Sequence, residues 1–516
     1  LEARIAEVEP AVNALPTLCF ERARDNARAL AARPVAERGV LAGMPVAIKD
    51  LLNVAGVRST QGSPIFADTV PEASDVAVTT LEAAGGVVYA KANTPEFGAG
   101  ANTFNEVFGR TLNPWDTSKS CAGSSGGSAV ALATGTAWLA SGSDLGGSLR
   151  NPASFCGIVG FRPTPGRVAH GPSALPFNSM SVEGPMARTV ADCALMLDAM
   201  SGSTPVDPTS LEKPAVSFVD AVAARKAPKR VAFSRDLGGI TPVDPEVAAI
   251  VEKAARKFED MGCIVEEACP DFTDVQMIFQ TLRAMAFAAS KKELLATHRD
   301  KLKPEVIWNI EKGLSLTMEE ISAAELARGR YYHRVREFYQ TYDLVLCPAT
   351  VVPPYSIEQR FVEECQGHKF SNYIEWCTVA YAFTCASVPA ISVPAGFTAG
   401  GLPVGLQTAA RRGGGAGGGR NVRGRRPLGP HSAGGPARAE GLRPLQTSQP
   451  ASRQNAICSA ENADRSRSRQ RPMPSGRMTS AQAGSSRSAG TGRCKLPTSR
   501  VSSSTGRPAK SSKRSG

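Results

Sequence analysis

Two clusters of glycine and serine, separated by an apolar run, constrain the fold of this chain most strongly. The first cluster is Ala122-Gly-Ser-Ser-Gly-Gly-Ser128 and the second is Ser143-Asp-Leu-Gly-Gly-Ser-Leu-Arg150. Flexible linkers are polar throughout, but residues 129–140 between the clusters are apolar and helix-forming, with a break at Gly135. Glycine-rich turns between buried elements bring the backbone close to a ligand. We therefore expect two tight turns inside a folded core, beside a binding site.

Strand-like and helix-like segments alternate before these clusters. Residues 43–52 form an apolar, strand-like segment that carries Lys49 near its far end, residues 75–84 are helix-like, and residues 87–90 are strand-like. This β-α-β order favours an α/β core with substantially parallel strand pairing. Further helices are expected at 1–31, 190–200, 245–261, through most of 272–340 and at 372–386, and further strands at 230–233, 343–347, 390–393 and 402–406.

The net charge of +12 is unevenly divided along the 516 residues. Residues 408–516 hold 22 Lys and Arg against 3 acidic residues, which leaves 37 basic and 44 acidic residues in 1–407. The basic segment has no aromatic residue and no apolar periodicity, so it cannot bury enough surface to fold. We predict one large, mildly acidic domain over 1–407 and a disordered Gly/Ser/Pro/Arg-rich tail over 408–516.

Two interpretations of the tail remain open. It is either a polybasic arm that binds nucleic acid or acidic surfaces, or the product of a shifted reading frame. Arg outnumbers Lys by 19 to 3 in the tail, as GC-rich DNA read out of frame would give, and the change begins inside a strand-like stretch. We favour the shifted frame, and we expect a nucleic-acid partner only if the tail is genuine.

Several protein classes are disfavoured by composition. No run reaches the roughly 18 apolar residues of a membrane-spanning helix, and the start Leu1-Glu-Ala-Arg lacks the apolar centre of a signal peptide. Because residue 1 is not Met, we expect a chain truncated at its start, and because of the tail we expect a domain truncated at its end. Twelve cysteines without a C-x-x-C pair and only five histidines argue against zinc and disulfide frameworks. We expect a cytoplasmic protein with no metal or organic cofactor.

The serine-rich clusters do not fit the common phosphate-binding or hydrolase motifs. Neither G-x-x-x-x-G-K-[ST] nor a clean G-x-G-x-x-G after a strand occurs. There is no G-x-S-x-G, and His170 and His298 lie in no recognisable motif, so we assign His170 to a loop or packing role. A serine nucleophile with a lysine base remains. Such a lysine must be neutral, which requires burial to lower its pKa from about 10.4.

These residues resemble the amidase signature family. Lys49 at a strand end, the Gly-Ser-Ser-Gly-Gly-Ser run, Asp-Leu-Gly-Gly-Ser-Leu-Arg and residues 159–168 occur in the order of that family. Ser124 and Ser148 lie 24 residues apart, as family members have them, and the likeness covers about 1–407. The resemblance implies an α/β, amidase-signature fold in one large domain, with a twisted mixed β-sheet covered by helices on both faces.

The resemblance also implies the roles of site residues. Ser148 would be the nucleophile, Ser124, in a cis peptide, the bridging serine, and Lys49 the general base. The backbone N–H groups that would form the oxyanion hole are those of Leu145, Gly146 and Gly147. The residues that would support the site are Ser125, Asp144 and Arg150, the last two as a structural ion pair. The residues that would line the acyl pocket, although their small size equally fits a tight turn, are Phe97, Gly98, Ala99 and Gly100.

The expected activity is hydrolysis of a small-molecule carboxylic amide to an acid plus ammonia or an amine, through an acyl-enzyme. One alternative is the glutaminase-type A subunit of a tRNA-dependent amidotransferase, which works with a partner. Against it, Asn113-Pro-Trp115 and Ser141-Gly-Ser-Asp144 are more typical of general amidases. The other alternative is an inactive or nucleic-acid-binding protein dominated by its basic tail. The sequence leaves the substrate and the oligomeric state open, a homodimer included.

Overall fold

The computed structural model describes residues 1–411. Its α-helices are α1 Glu2–Val12, α2 Phe20–Ala31, α3 Val76–Ala83, α4 Gly126–Ala133, α5 Arg150–Cys156, α6 Val190–Met200, α7 Phe218–Ala223, α8 Pro245–Arg256, α9 Val275–His298, α10 Pro304–Leu314, α11 Met318–Phe338 and α12 Thr378–Cys385. Its strands are β1 Thr17–Leu18, β2 Pro45–Lys49, β3 Val87–Ala92, β4 Phe104–Asn105, β5 Gly109–Arg110, β6 Leu139–Asp144, β7 Val159–Arg162, β8 Val182–Ala187, β9 Arg230–Phe233, β10 Ile264–Glu267, β11 Leu344–Pro348, β12 Glu364–Cys365, β13 His368–Lys369, β14 Ala390–Phe397 and β15 Pro403–Ala410.

One mixed sheet organises the described residues. Its eleven strands follow the order β1-β3-β2-β6-β8-β7-β14-β15-β11-β9-β10. β2 pairs in parallel with β3 and β6, and β9 with β10 and β11. The strands between these two groups pair antiparallel. The predicted mixed sheet is confirmed, and parallel pairing is confined to its two flanks.

Apolar cores lie on both faces of this sheet because successive strand residues point to opposite sides. In β11, Val345 and Cys347 join one core, and Leu344 and Leu346 join the other. Helices α9 to α12 contribute buried side chains to the first core, and α3, α6 and α8 to the second. The predicted covering of both faces by helices is therefore confirmed.

The first 31 residues depart from the helical expectation. They form two helices separated by the edge strand β1, in which Thr17 pairs with Lys91 of β3. Asn13 ends α1 in the left-handed conformation, with φ 51°, and its side-chain amide donates to the Phe108 carbonyl at 2.6 Å. Sheet pairing and this bond outweigh the helix propensity of the segment, which is a weak preference.

The boundary predicted between the domain and its tail falls close to the end of the described residues. β15 continues through Ala410, three residues past the boundary predicted at 407, and Thr408 pairs with Ile391 and Leu346 of the neighbouring strands. The rest of the predicted tail lies outside the described residues. Within 1–411, no helix has both the length and the apolarity to cross a membrane.

Candidate active site

Lys49 ends strand β2, which lies between β3 and β6, and is 1% exposed. Its Nζ lies within hydrogen-bond distance of three hydroxyl oxygens: 2.7 Å from Ser124, 2.9 Å from Ser125 and 2.9 Å from Ser143. Burial lowers the pKa of Lys49 from 10.5 to about 7, against the opposing effect of two nearby carboxylates. A large fraction of this lysine is therefore neutral near pH 7 and able to accept a proton.

The hydroxyl groups around Lys49 differ in how many further hydrogen bonds they can form. The Ser125 hydroxyl accepts from Lys49 and from the Ser143 N–H at 3.3 Å, and donates to the Ser143 carbonyl at 3.3 Å. Its proton and both acceptor positions are thus occupied. The Ser124 hydroxyl has Lys49 as its one hydrogen-bond partner among residues 1–411. Its proton is accordingly available for the lysine lone pair, once Lys49 is neutral.

The two serine clusters meet at this lysine. The Gly123–Ser124 peptide is cis, and the N–H of Ser125 donates to the carbonyl of Ser148 at 3.2 Å. Ser124 and Ser148 both line a cavity of about 470 Å³. The structure thus brings the three residues of the predicted triad, Lys49, Ser124 and Ser148, to one end of the sheet.

The loop between β6 and α5 carries the predicted oxyanion donors. Leu145 and Gly146 line the cavity, and within residues 1–411 their N–H groups have no acceptor. The N–H of Gly147, in contrast, donates to Asp144 Oδ1 at 3.1 Å, and Gly147 is not part of the cavity wall. The oxyanion role stays a prediction for Leu145 and Gly146, whereas the Gly147 donor is already engaged.

A buried ion pair holds this loop. Arg150 donates to the two oxygens of Asp144 at 2.8 and 3.0 Å, and Arg162 adds a contact of 3.3 Å. Burial opposes ionisation of Asp144, but the two guanidinium groups outweigh it and hold the pKa of that carboxyl well below its usual range. Arg150 also donates to the Ala380 carbonyl at 2.7 Å and to Gln407 Oε1 at 2.6 Å. The pair therefore ties the loop to α12 and β15.

The predicted pocket segment is only partly in the cavity. Phe97, Gly98 and Ala99 line it, together with Ser124. A Cβ atom added to Gly98 would lie 3.3 Å from Ser124 Oγ, so this backbone approaches the serine closely. Gly100 is not part of the lining, because it faces away: a Cβ there would lie 2.9 Å from Lys303 Nζ. Its predicted substrate contact is not supported by this placement.

Several cavity residues were missed by sequence reasoning. Ser143, a hydrogen-bond partner of Lys49, could have been predicted from the alternation of Ser141 and Ser143 in the sequence. Both lie on β6, which pairs in parallel with β2, and Ser141 Oγ accepts the Lys49 N–H at 3.0 Å. His170, assigned to packing, lines the cavity with its Nδ1 3.9 Å from Glu183 Oε1. Arg283 and Tyr373 also line it, and no motif marks either residue.

These features place the protein in a class of α/β proteins with a lysine–serine site. A buried lysine contacts serine hydroxyls, and a further serine and unpaired backbone N–H groups lie beside it. Such a set has the components for acyl transfer to serine. Residues 1–411 contain no cluster of three or more His, Cys, Asp or Glu side chains suited to a metal ion.

The amidase family model matches residues 1–415, and the chain belongs to this family. The chain is 36% identical over 413 residues to an acylamidase of Rhodococcus erythropolis, covering 79% of this chain and 86% of that one. It is 36% identical over 435 residues to the A subunit of the glutamyl-tRNA(Gln) amidotransferase of Moorella thermoacetica, covering 79% and 88%. A bacterial aryl acylamidase structure of the amidase signature family superposes with a TM-score of 0.74 at 27% identity, covering 82% and 91%. The fold is the amidase-signature fold, and the protein is a hydrolase acting on carbon–nitrogen amide bonds.

Proposed function

We propose that this protein hydrolyses a small carboxylic amide through an acyl-enzyme on Ser148. The observation that carries the proposal is the buried contact of 2.7 Å between Lys49 Nζ and Ser124 Oγ, with a lysine pKa of about 7. A serine hydroxyl is a weak nucleophile unless a base takes its proton as it attacks. Neutral Lys49 is that base, and Ser124 relays the proton.

The first half-reaction follows from these roles. Ser148 Oγ bonds to the amide carbonyl carbon while its proton passes to Ser124 and the proton of Ser124 passes to Lys49. The carbonyl oxygen becomes an oxyanion, which the N–H groups of Leu145 and Gly146 stabilise. Loss of one such donor costs about 3–4 kcal/mol of transition-state stabilisation. The proton then returns through Ser124 to the leaving nitrogen as the carbon–nitrogen bond breaks, and ammonia or an amine departs.

The second half-reaction repeats the cycle with water. Neutral Lys49, again through Ser124, accepts a proton from a water molecule that attacks the ester carbonyl of acylated Ser148. Collapse of the tetrahedral intermediate breaks the ester bond and returns the proton to Ser148 Oγ. The acid is released and the lysine is neutral again, so one lysine serves as base and then acid in each half.

Ammonia release from short aliphatic and aromatic amides tests the proposal. Ser148→Ala should abolish release, and intact mass spectrometry with a slow substrate should detect an acyl adduct in the native chain that this variant lacks. Ser118→Ala is the matched control, because Ser118 is exposed and its hydroxyl donates to Asp116 of the same turn, away from the cavity. Full turnover by folded Ser148→Ala protein would refute the nucleophile assignment.

The second candidate is a glutaminase-type A subunit of an amidotransferase. It is supported by the 36% identity to the amidotransferase chain of Moorella thermoacetica, which equals the identity to the acylamidase. Hydrolysis of glutamine alone, stimulated by the partner subunits of an amidotransferase, would favour this candidate. Turnover of simple amides by the isolated chain would favour the general amidase.

A further inference from the structure

One end of the cavity presents hydrogen-bond donors without acceptors. The Tyr373 hydroxyl accepts from Arg283 Nη1 at 2.8 Å and from Asn309 Nδ2 at 2.7 Å. The same Asn309 nitrogen donates to the Glu305 carbonyl at 2.7 Å, which fixes the orientation of the amide. Both acceptor positions of the hydroxyl are therefore filled. Its own proton has no acceptor within residues 1–411, and Tyr373 lines the cavity.

Arg283 is a buried cation in the wall of the same cavity. It is 1% exposed, and no carboxylate among residues 1–411 pairs with it. Its Nη2 donates to Gln280 Oε1 at 2.8 Å, its Nε is buried without a partner, and its guanidinium lies 5.3 Å from the ring centres of both Trp308 and Tyr373. Burying a charge is costly unless an anion compensates it. The cavity side is where such an anion can approach.

A second cation lies two turns further along α9. Lys291 lines the cavity with its Nζ 4.2 Å from the centre of the Phe97 ring, and it forms no ion pair with a carboxylate of residues 1–411. Because 3.6 residues make a helical turn, Arg283 and Lys291 lie on the same side of α9, where Ala286, Phe287 and Ser290 complete the cavity wall. Burial lowers the pKa of Lys291, and the nearby Glu96 carboxylate opposes that shift. Arg283 is therefore the cation of this wall that has no carboxylate partner within residues 1–411.

The cationic wall is close to the predicted oxyanion loop. A Cβ atom on Gly146 would lie 3.3 Å from Phe279 Cζ, and the Arg283 guanidinium lies 5.7 Å from the centre of the same Phe279 ring. One aromatic ring thus separates Gly146 from Arg283. A ligand whose carbonyl lies against Gly146 can extend a second group past this ring to the guanidinium.

We infer that Arg283, Tyr373 and Lys291 bind a carboxylate of the substrate, so that the favoured substrates are amides that carry a second, ionised carboxyl group. This inference rests on the proposed amide hydrolysis for its catalytic consequence. A carboxylate matches the wall because its two oxygens accept bonds from a planar guanidinium in a forked geometry and from a hydroxyl beside it. A neutral alkyl chain would leave these donors and charges without partners.

The test compares primary monoamides of the dicarboxylic acids from succinic to adipic acid with unbranched alkyl amides of equal length. For the best monoamide, kcat/KM should exceed that of its alkyl counterpart by about 30-fold, which is the factor expected from one hydrogen bond to a charged group. Arg283→Gln should remove this preference, mainly by raising KM for the monoamide, so that kcat/KM falls about 30-fold further for the monoamide than for the alkyl amide. Lys292→Gln is the matched control, since it removes an exposed lysine next to Lys291 and should preserve the preference.

A binding measurement separates this inference from the proposed activity. In the Ser148→Ala protein, calorimetry should detect the favoured monoamide but not its alkyl counterpart, and Tyr373→Phe, which keeps the ring, should weaken the binding. Turnover of both amides with equal kcat/KM would overturn the carboxylate site while amide hydrolysis stands. If the monoamide binds in an Arg283-dependent way but the native protein turns over neither amide, the carboxylate site is supported and the proposed activity is overturned. An equal loss on both amides in folded Arg283→Gln protein would show a structural role and overturn the inference.

Discussion

The Nζ atom of Lys49 lies 2.7 Å from Ser124 Oγ, with the two residues 1% and 2% exposed. A lysine at this depth loses its hydration and gains only hydroxyl partners, so its charged form is disfavoured. The same burial has two consequences: it supplies a neutral base near pH 7, and it lowers the stability of the fold wherever the unfolded chain would be protonated.

The first consequence is a pH profile. Only neutral Lys49 accepts a proton, and its pKa is about 7, so activity should rise as the pH increases. We expect kcat/KM for an uncharged amide to increase tenfold per pH unit below about pH 7 and to level off above it. Stopped assays in buffers of constant ionic strength measure this limb. A flat profile below pH 7 would contradict the assignment of Lys49 as the base.

The second consequence is a pH-dependent stability difference between the native chain and Lys49→Met. The folded pKa of about 7 lies below the ordinary 10.5, so between these values the unfolded chain binds more protons than the folded one. The native chain should therefore gain stability relative to the variant as the pH rises through this window, by about 1.4 kcal/mol per unit.

Urea unfolding of both proteins at several pH values measures that difference, and other titrating groups cancel because the two chains share them. Below the folded pKa the difference should be constant, with the penalty fully present. A difference that stays constant from pH 7 to 10.5 would contradict the lowered pKa, whatever the activity of either protein.

Asp144 provides a test of the loop that follows β6. Asp144→Asn leaves the buried guanidinium groups of Arg150 and Arg162 without their carboxylate, and breaking a buried pair in this way costs about 3–5 kcal/mol. The matched control is Asp25→Asn, which breaks the Asp25–Arg28 pair, with both side chains 73% exposed, and should cost less than about 1 kcal/mol. Equal costs in chemical denaturation would show that the buried pair does not stabilise the loop.

Much of this arrangement follows from local sequence. Helix α6 coincides with the predicted 190–200, because its apolar spacing and its Thr189 cap are local signals. The serine clusters are also recognisable locally, because glycine-rich turns between apolar segments predict a close approach of the backbone to another group. The catalytic roles of Lys49 and Ser148 are predictions from the family resemblance, and the structure places Lys49 at the end of β2 and Ser148 in the loop after β6.

Other features depend on contacts between distant parts of the chain. Arg283 and Tyr373 are 90 residues apart, and their contact is 2.8 Å; neither has a local pattern that distinguishes a cavity residue from an ordinary core residue. The Gly147 N–H looks like an oxyanion donor until the buried Asp144 carboxylate is placed beside it. Antiparallel pairing at the centre of the sheet is equally non-local, because strand order is set by tertiary packing.

Gly98 offers a test of how closely the cavity wall approaches Ser124, the predicted bridging serine. It has φ +74°, and a Cβ there would lie 3.3 Å from Ser124 Oγ and 3.2 Å from Leu51 Cδ1. Gly56 has nearly the same φ, +71°, with nothing within 4 Å of its Cβ position. Gly98→Ala and Gly56→Ala should therefore lose similar stability, about 1 kcal/mol, because both strain the backbone. Only Gly98→Ala should displace Ser124. A sub-ångström displacement of this kind should lower kcat by about tenfold or more. Thermal unfolding and steady-state kinetics of the two variants measure both effects, and equal kcat values would show that this glycine does not set the position of Ser124.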